Sequence, residues 1–156
     1  MWWPVVGHSP GDAAEEESVA RRGSFVVVAV LLLVAGCGGG AETATREAVI
    51  ETISPAAAAD LVAVPPSGLV VLDVRTPEEF DAGHLAGAVN LDFYASTFAD
   101  DLAGLDREAP YLLYCRSGNR SAQAREMMRD LGFLEVHEIA GGIVAWAEAG
   151  LPLEIP

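Results

Sequence analysis

Residues 111–121 read Tyr-Leu-Leu-Tyr-Cys-Arg-Ser-Gly-Asn-Arg-Ser: an apolar run that stops on a cysteine and a tight polar turn. Behind the turn, Ala122, Ala124, Met127, Met128 and Leu131 recur at helical spacing. Residues 111–114 therefore predict a short buried strand, and Cys115 falls where that strand hands over to a helix. A strand–turn–helix unit with an almost wholly apolar strand belongs to a parallel sheet covered on both faces. In open sheets of that kind the carboxyl ends of the strands are where ligands bind.

This position gives the cysteine a chemistry. A helix N-terminus offers unpaired N–H groups and the positive end of the dipole, and both favour a thiolate over a thiol. Arg116 and Arg120 flank the turn, Gly118 lets the backbone bend sharply, and the amides from Arg116 through Ser117, Gly118, Asn119 and Arg120 to Ser121 can curl into an anion-binding nest. Such a cradle suits a thiolate, a persulfide or a bound oxyanion. The loop itself holds no acid, so nothing within it opposes an anionic ligand.

Strand and helix signals alternate through the rest of the chain. Ala48–Ile53 alternates as a first strand, Ser54 caps a helix that Pro55 opens and that runs to about Val64, and residues 65–68 turn. Leu69–Val74 predicts a central strand, and Thr76-Pro77-Glu78-Glu79 a helix start with its cap, proline and acids in place. A short strand over Ala88–Leu91, a helix near Phe98–Leu105, a strand over Val136–Ile139 and a helix over Ile143–Ala149 complete an α/β reading.

The loop at Cys115 resembles the active-site loop of the rhodanese family of sulfurtransferases. Three further stretches fit the same family in order: Leu72–Arg75 with Thr76–Phe80, His84–Asn90, and the glycine pair and tryptophan of Gly141–Trp146. Together they span residues 46–154. The resemblance implies a rhodanese-like fold, a parallel sheet of about five strands with helices on both faces, and a catalytic Cys115 that carries sulfane sulfur from a small anionic donor such as thiosulfate to cyanide or a thiol. It implies that the amides and guanidinium groups of residues 116–121 hold the charged sulfur, and that Asp73 and Arg75 form an ion pair supporting the loop. His84 is expected as a hydrogen-bonded scaffold residue of its turn. Four residues separate Cys115 from Arg120, which resembles sulfurtransferases; related phosphatases have one more. A phosphatase or arsenate reductase on the same fold, and a persulfide-carrying module with little turnover, are the competing readings.

Elsewhere, Phe93 and Tyr94 could line the mouth of the site or pack in the core, His137 reads as an ordinary strand residue, and Trp146 as packing. One cysteine and two dispersed histidines after residue 37 supply no metal ligand set, and no cofactor is implied.

The amino-terminal part speaks to location. Residues 25–35 are uncharged and apolar, preceded by Arg21-Arg22, which is too short for the ~20 residues of a membrane span but suits a secretory signal. Val34-Ala35-Gly36-Cys37 resembles the lipobox of bacterial lipoproteins, which implies acylation of Cys37. The expected organisation is residues 19–36 as signal peptide, 37–45 as a Gly-rich lipid-anchored tether and 46–156 as the folded domain, exported and held on the outer face of the cytoplasmic membrane. Residues 1–18 are acidic where a signal should be basic, so translation is expected to start at Val19, leaving them as an untranslated or non-native extension. The formal charge of −14 argues against nucleic acid. It is compatible with a small anionic substrate, because a local cationic loop can override a distant field.

Overall fold

A computed structural model describes residues 46–155. The proposed signal peptide, Cys37 and tether lie outside the described residues.

The chain alternates as β1 (Val49–Ile53), α1 (Pro55–Ala63), β2 (Val70–Asp73), α2 (Pro77–Asp81), β3 (Val89–Asn90), α3 (Phe98–Ala103), β4 (Pro110–Tyr114), α4 (Asn119–Asp130), β5 (Glu135–Ile139) and α5 (Gly142–Glu148). The five strands form one sheet in the order β1-β5-β4-β2-β3, every pair parallel. All the predicted elements are present, with ends displaced by a residue or two where propensity alone sets no boundary. Ser54 accepts from the Ala57 amide at 3.2 Å, which fixes the start of α1. Thr76 and Glu79 form a reciprocal capping box at the start of α2.

Alternation along β4 builds two cores. Tyr111, Leu113 and Cys115 face one side, packed with Phe98 and Leu102 of α3 and Ala124 and Met128 of α4. Leu112 and Tyr114 face the other, with Ala58 of α1 and Ile143 and Trp146 of α5. Trp146 is packing, as expected, and its indole N–H donates to the Pro152 carbonyl at 2.9 Å. Because β4 is buried on both faces, its five residues are all apolar or aromatic.

The topology positions the site. From β2 the chain moves outward to β3, and from β4 it moves the opposite way to β5. The loops after β2 and β4 therefore diverge at the carboxyl end of the sheet, where open α/β folds leave a crevice. Cys115 follows β4 at that edge.

Candidate active site

Cys115 is 1% exposed, yet its sulfur does not sit in hydrocarbon alone. The Gly118 amide donates to Sγ at 3.1 Å, and the Ser121 hydroxyl lies 3.4 Å from it. Burial pushes the thiol up, and the Ser121 hydroxyl together with the amides of Ser121, Ser117 and Gly118 outweighs that, so the thiol titrates below its ordinary value. Gly118 takes φ +98°, a conformation that lets the loop amides converge on the sulfur. Arg116, Ser117 and Asn119 form the exposed rim of the loop and Ser121 lies buried beneath it.

The closing glycine pair holds this loop from below. The amides of Ile143 and Val144 donate to the carbonyls of Cys115 and Arg116 at 2.9 and 3.2 Å. A Cβ on Gly142 would stand 2.3 Å from the Cys115 oxygen and 2.8 Å from the Arg116 oxygen. Only a glycine admits so close a backbone approach.

The loop itself holds no acid, as read from the sequence, but two acids reach the site from elsewhere in the fold. Glu79 of α2 accepts from both terminal nitrogens of Arg120, at 2.7 and 2.9 Å. Arg120 also stacks over the exposed Tyr94 ring at 5.4 Å. Its hydrogen bonds, against some burial and with help from the Thr76 amide, lower the Glu79 carboxyl to about 2. Arg120 is therefore held in place with its charge largely offset, whereas Arg116 has no ion-pair partner among the described residues. The second acid is Glu138 of β5, 3% exposed, which accepts from the Ser121 hydroxyl at 2.7 Å.

Neither acid was legible as a site residue. Glu79 announces itself only as a helix cap, and its partner lies 41 residues away. Glu138 did leave a signal: it shares a strand face with Val136, where an acid is out of place unless something buried needs it.

Among the described residues, the supporting residues make no hydrogen bond to the sulfur. Asp73 and Arg75 form a buried ion pair with Nη2 to Oδ2 at 2.6 Å, and Arg75 donates on to the Gly83 carbonyl at 2.8 Å. The pair ties the end of β2 to the turn after α2. His84 stacks on Phe80 at 3.8 Å, its Nδ1 lies 3.0 Å from the Phe80 carbonyl, and its backbone pairs with Glu154. Phe93 and Tyr94 divide the two roles foreseen for them: Phe93 packs on the α3–α4 core, and Tyr94 stands exposed over Arg120. His137 lies in β5 between Glu51 and Glu135.

Residues 55–149 match the model of the rhodanese-like domain. The chain belongs to the rhodanese-like family. It is 39% identical over 79 residues to the thiosulfate sulfurtransferase GlpE of Pseudomonas putida, covering 51% of this chain and 70% of that protein. A Mycobacterium tuberculosis relative described as a probable adenylyltransferase/sulfurtransferase, MoeZ, is 36% identical over 118 residues, 74% of this chain but only 29% of the relative's own length. Among solved structures, a rhodanese-related protein from Thermoplasma volcanium superposes with a TM-score of 0.60 at 32% identity, covering 68% of this chain and 99% of that one. A Rhodopseudomonas palustris structure described as a possible tyrosine phosphatase superposes with a TM-score of 0.55 at 31% identity, over 67% of this chain and 85% of that one.

Proposed function

We propose that this rhodanese-like protein is a sulfurtransferase that carries sulfane sulfur on Cys115. The observation that carries the reading is the ring of donors around a buried sulfur at the head of α4, with Gly118 N–H at 3.1 Å and the Ser121 hydroxyl at 3.4 Å. The thiolate attacks the outer sulfur of a donor such as thiosulfate. The Sγ–S bond forms, the donor's S–S bond breaks, and sulfite departs with the electron pair. The charge then rests on the outer sulfur, where the amides of residues 116–121 can receive it. A thiophilic acceptor, cyanide or a thiolate, takes that sulfur and returns the bonding pair to Sγ, regenerating the thiolate. Relatives named as sulfurtransferases support this chemistry.

Intact-mass analysis after exposure to thiosulfate tests it. One added sulfur atom on the peptide carrying Cys115, absent from Cys115→Ser, is the expected result. Faster turnover of an aryl phosphate than of thiosulfate would favour the phosphatase reading instead.

A carrier role is the second reading, and the Glu79–Arg120 pair favours it. With Arg120 engaged at both nitrogens, Arg116 is the guanidinium left to hold a small dianion, so a partner protein presenting a persulfide is a suitable donor. Slow transfer from thiosulfate beside fast transfer from a protein persulfide would support that role. The location belongs to the same proposal: the domain works on the outer face of the cytoplasmic membrane, anchored by acylated Cys37.

A further inference from the structure

The persulfide mechanism leaves one buried charged group at the site unused. Glu138 Oε2 accepts from Thr52 Oγ1 at 3.0 Å and Arg125 Nη1 at 2.9 Å, and its Oε1 faces the Ser121 hydroxyl at 2.7 Å. We propose that Glu138, acting through Ser121, is a positioning residue that weakens the hold on the bare Cys115 thiolate and so favours its sulfur-loaded form. The inference rests on the persulfide reading above.

The argument turns on a single proton. The Ser121 hydroxyl carries one hydrogen and has three acceptors within reach: Glu138 Oε1 at 2.7 Å, the Gly118 carbonyl at 3.1 Å and Cys115 Sγ at 3.4 Å. The carboxylate is the nearest of the three and a charged acceptor, so it competes with the sulfur for that hydrogen. It also places a second anion two hydrogen bonds from Sγ in a water-poor setting. While the charge sits on Sγ, both effects oppose it. Once the Sγ–S bond has formed and sulfite has left with the donor's electron pair, the charge lies on the outer sulfur, one bond further from Glu138. Sγ no longer needs the hydroxyl, and Ser121 turns fully to the carboxylate. Repulsion is thus relieved by loading.

The other charges around the two groups weaken the repulsion but leave the competition for the Ser121 hydrogen in place. Arg125 of α4 meets Glu138 on Oε2, the oxygen remote from Ser121, and β1 contributes only the neutral Thr52 hydroxyl. On the sulfur's side, α4 supplies Arg120, already offset by Glu79 of α2, and the loop supplies Arg116.

Two variants of the full chain test the proposal in opposite directions, read on the peptide carrying Cys115. Glu138→Gln removes the charge and keeps the shape. The midpoint of the iodoacetamide alkylation rate against pH should fall by about one pH unit. The sulfur-loaded fraction at a fixed thiosulfate-to-sulfite ratio should fall by about threefold in the corresponding equilibrium constant. Arg125→Gln keeps an amide donor for Oε2 but removes the compensating cation, so the midpoint should rise by about half a unit and loading should increase. A variant that is merely structural would not shift the profile with opposite signs. A midpoint that stays in place or rises in Glu138→Gln, or one that falls in Arg125→Gln, overturns the proposal. A chain that takes no sulfur from thiosulfate yet shows both shifts overturns the transferase reading while supporting the hold of Glu138 on the thiolate.

Discussion

Arg120 shows how one side chain can be fixed in place by its neighbours before any substrate arrives. Its planar fork meets Glu79 at both nitrogens while its face lies on Tyr94, an arrangement that a lysine could not reproduce. Arg120→Ala should lower sulfur transfer by at least about tenfold. The stability cost should stay near 1 kcal/mol, because the Glu79 carboxylate is 29% exposed and partly screened. Transfer assays beside urea melts check both. The same pair gives a pH dependence. Glu79 titrates at about 2 in the fold, below an ordinary carboxyl. The stability from its pairing is therefore fully present above about pH 4.5 and is lost as pH falls toward 2. Glu79→Gln should be less stable than the parent at pH 6, and the difference should close across that acid window. A difference that stays constant to pH 2 would show that the pair contributes nothing through its charge.

Between elements, the site depends on a contact that no periodicity announces. The amino end of α5 presses against the Cys115–Arg116 backbone, and Gly142, at φ +60°, is the residue that permits it. Gly142→Ala should cost about 2–3 kcal/mol from clash and strain together. Gly132→Ala, equally left-handed at φ +83° but open to space, should cost only the ~1–2 kcal/mol of strain. Urea midpoints separate the two. Loss of sulfur loading beyond what unfolding explains is expected in Gly142→Ala alone. Contrasts of this kind mark what the sequence could and could not tell. The β4 strand, the capping box at Thr76 and the turn at Gly118 were legible because strong local physics sets them: burial on both faces, a reciprocal pair of hydrogen bonds, a positive φ. The sulfur loop is contiguous, as is each stretch that carries the family resemblance, and so they are readable. Glu79 beside Arg120, and Glu138 beneath Ser121, are brought together only by strand order and helix packing, over separations of 41 and 17 residues. Composition at those positions suggested a helix cap in one case and a strand in the other.

At the scale of the molecule, charge and the proposed location pull against each other. Residues 37–156 hold seven arginines against nineteen acids, so an anionic lipid surface repels the domain, and nothing in its charge would bring it to a membrane. The proposed acylation at Cys37 is the contact that would hold it at a bilayer, and one chain alone binds only marginally. A Gly-rich segment of eight residues has a root-mean-square span of about 16 Å, whereas the Debye length at physiological salt is about 8 Å. The proposed tether, residues 38–45, has the length to hold an acidic domain beyond most of that repulsion. Cys37→Ser should move the protein from the membrane fraction to the soluble fraction on cell fractionation. The purified variant should still take one sulfur atom at Cys115, because the loop, the α5 contact and both acids all lie within residues 46–155. Retention of Cys37→Ser in the membrane at low salt and at high salt alike would show that something other than this acyl anchor holds the protein there.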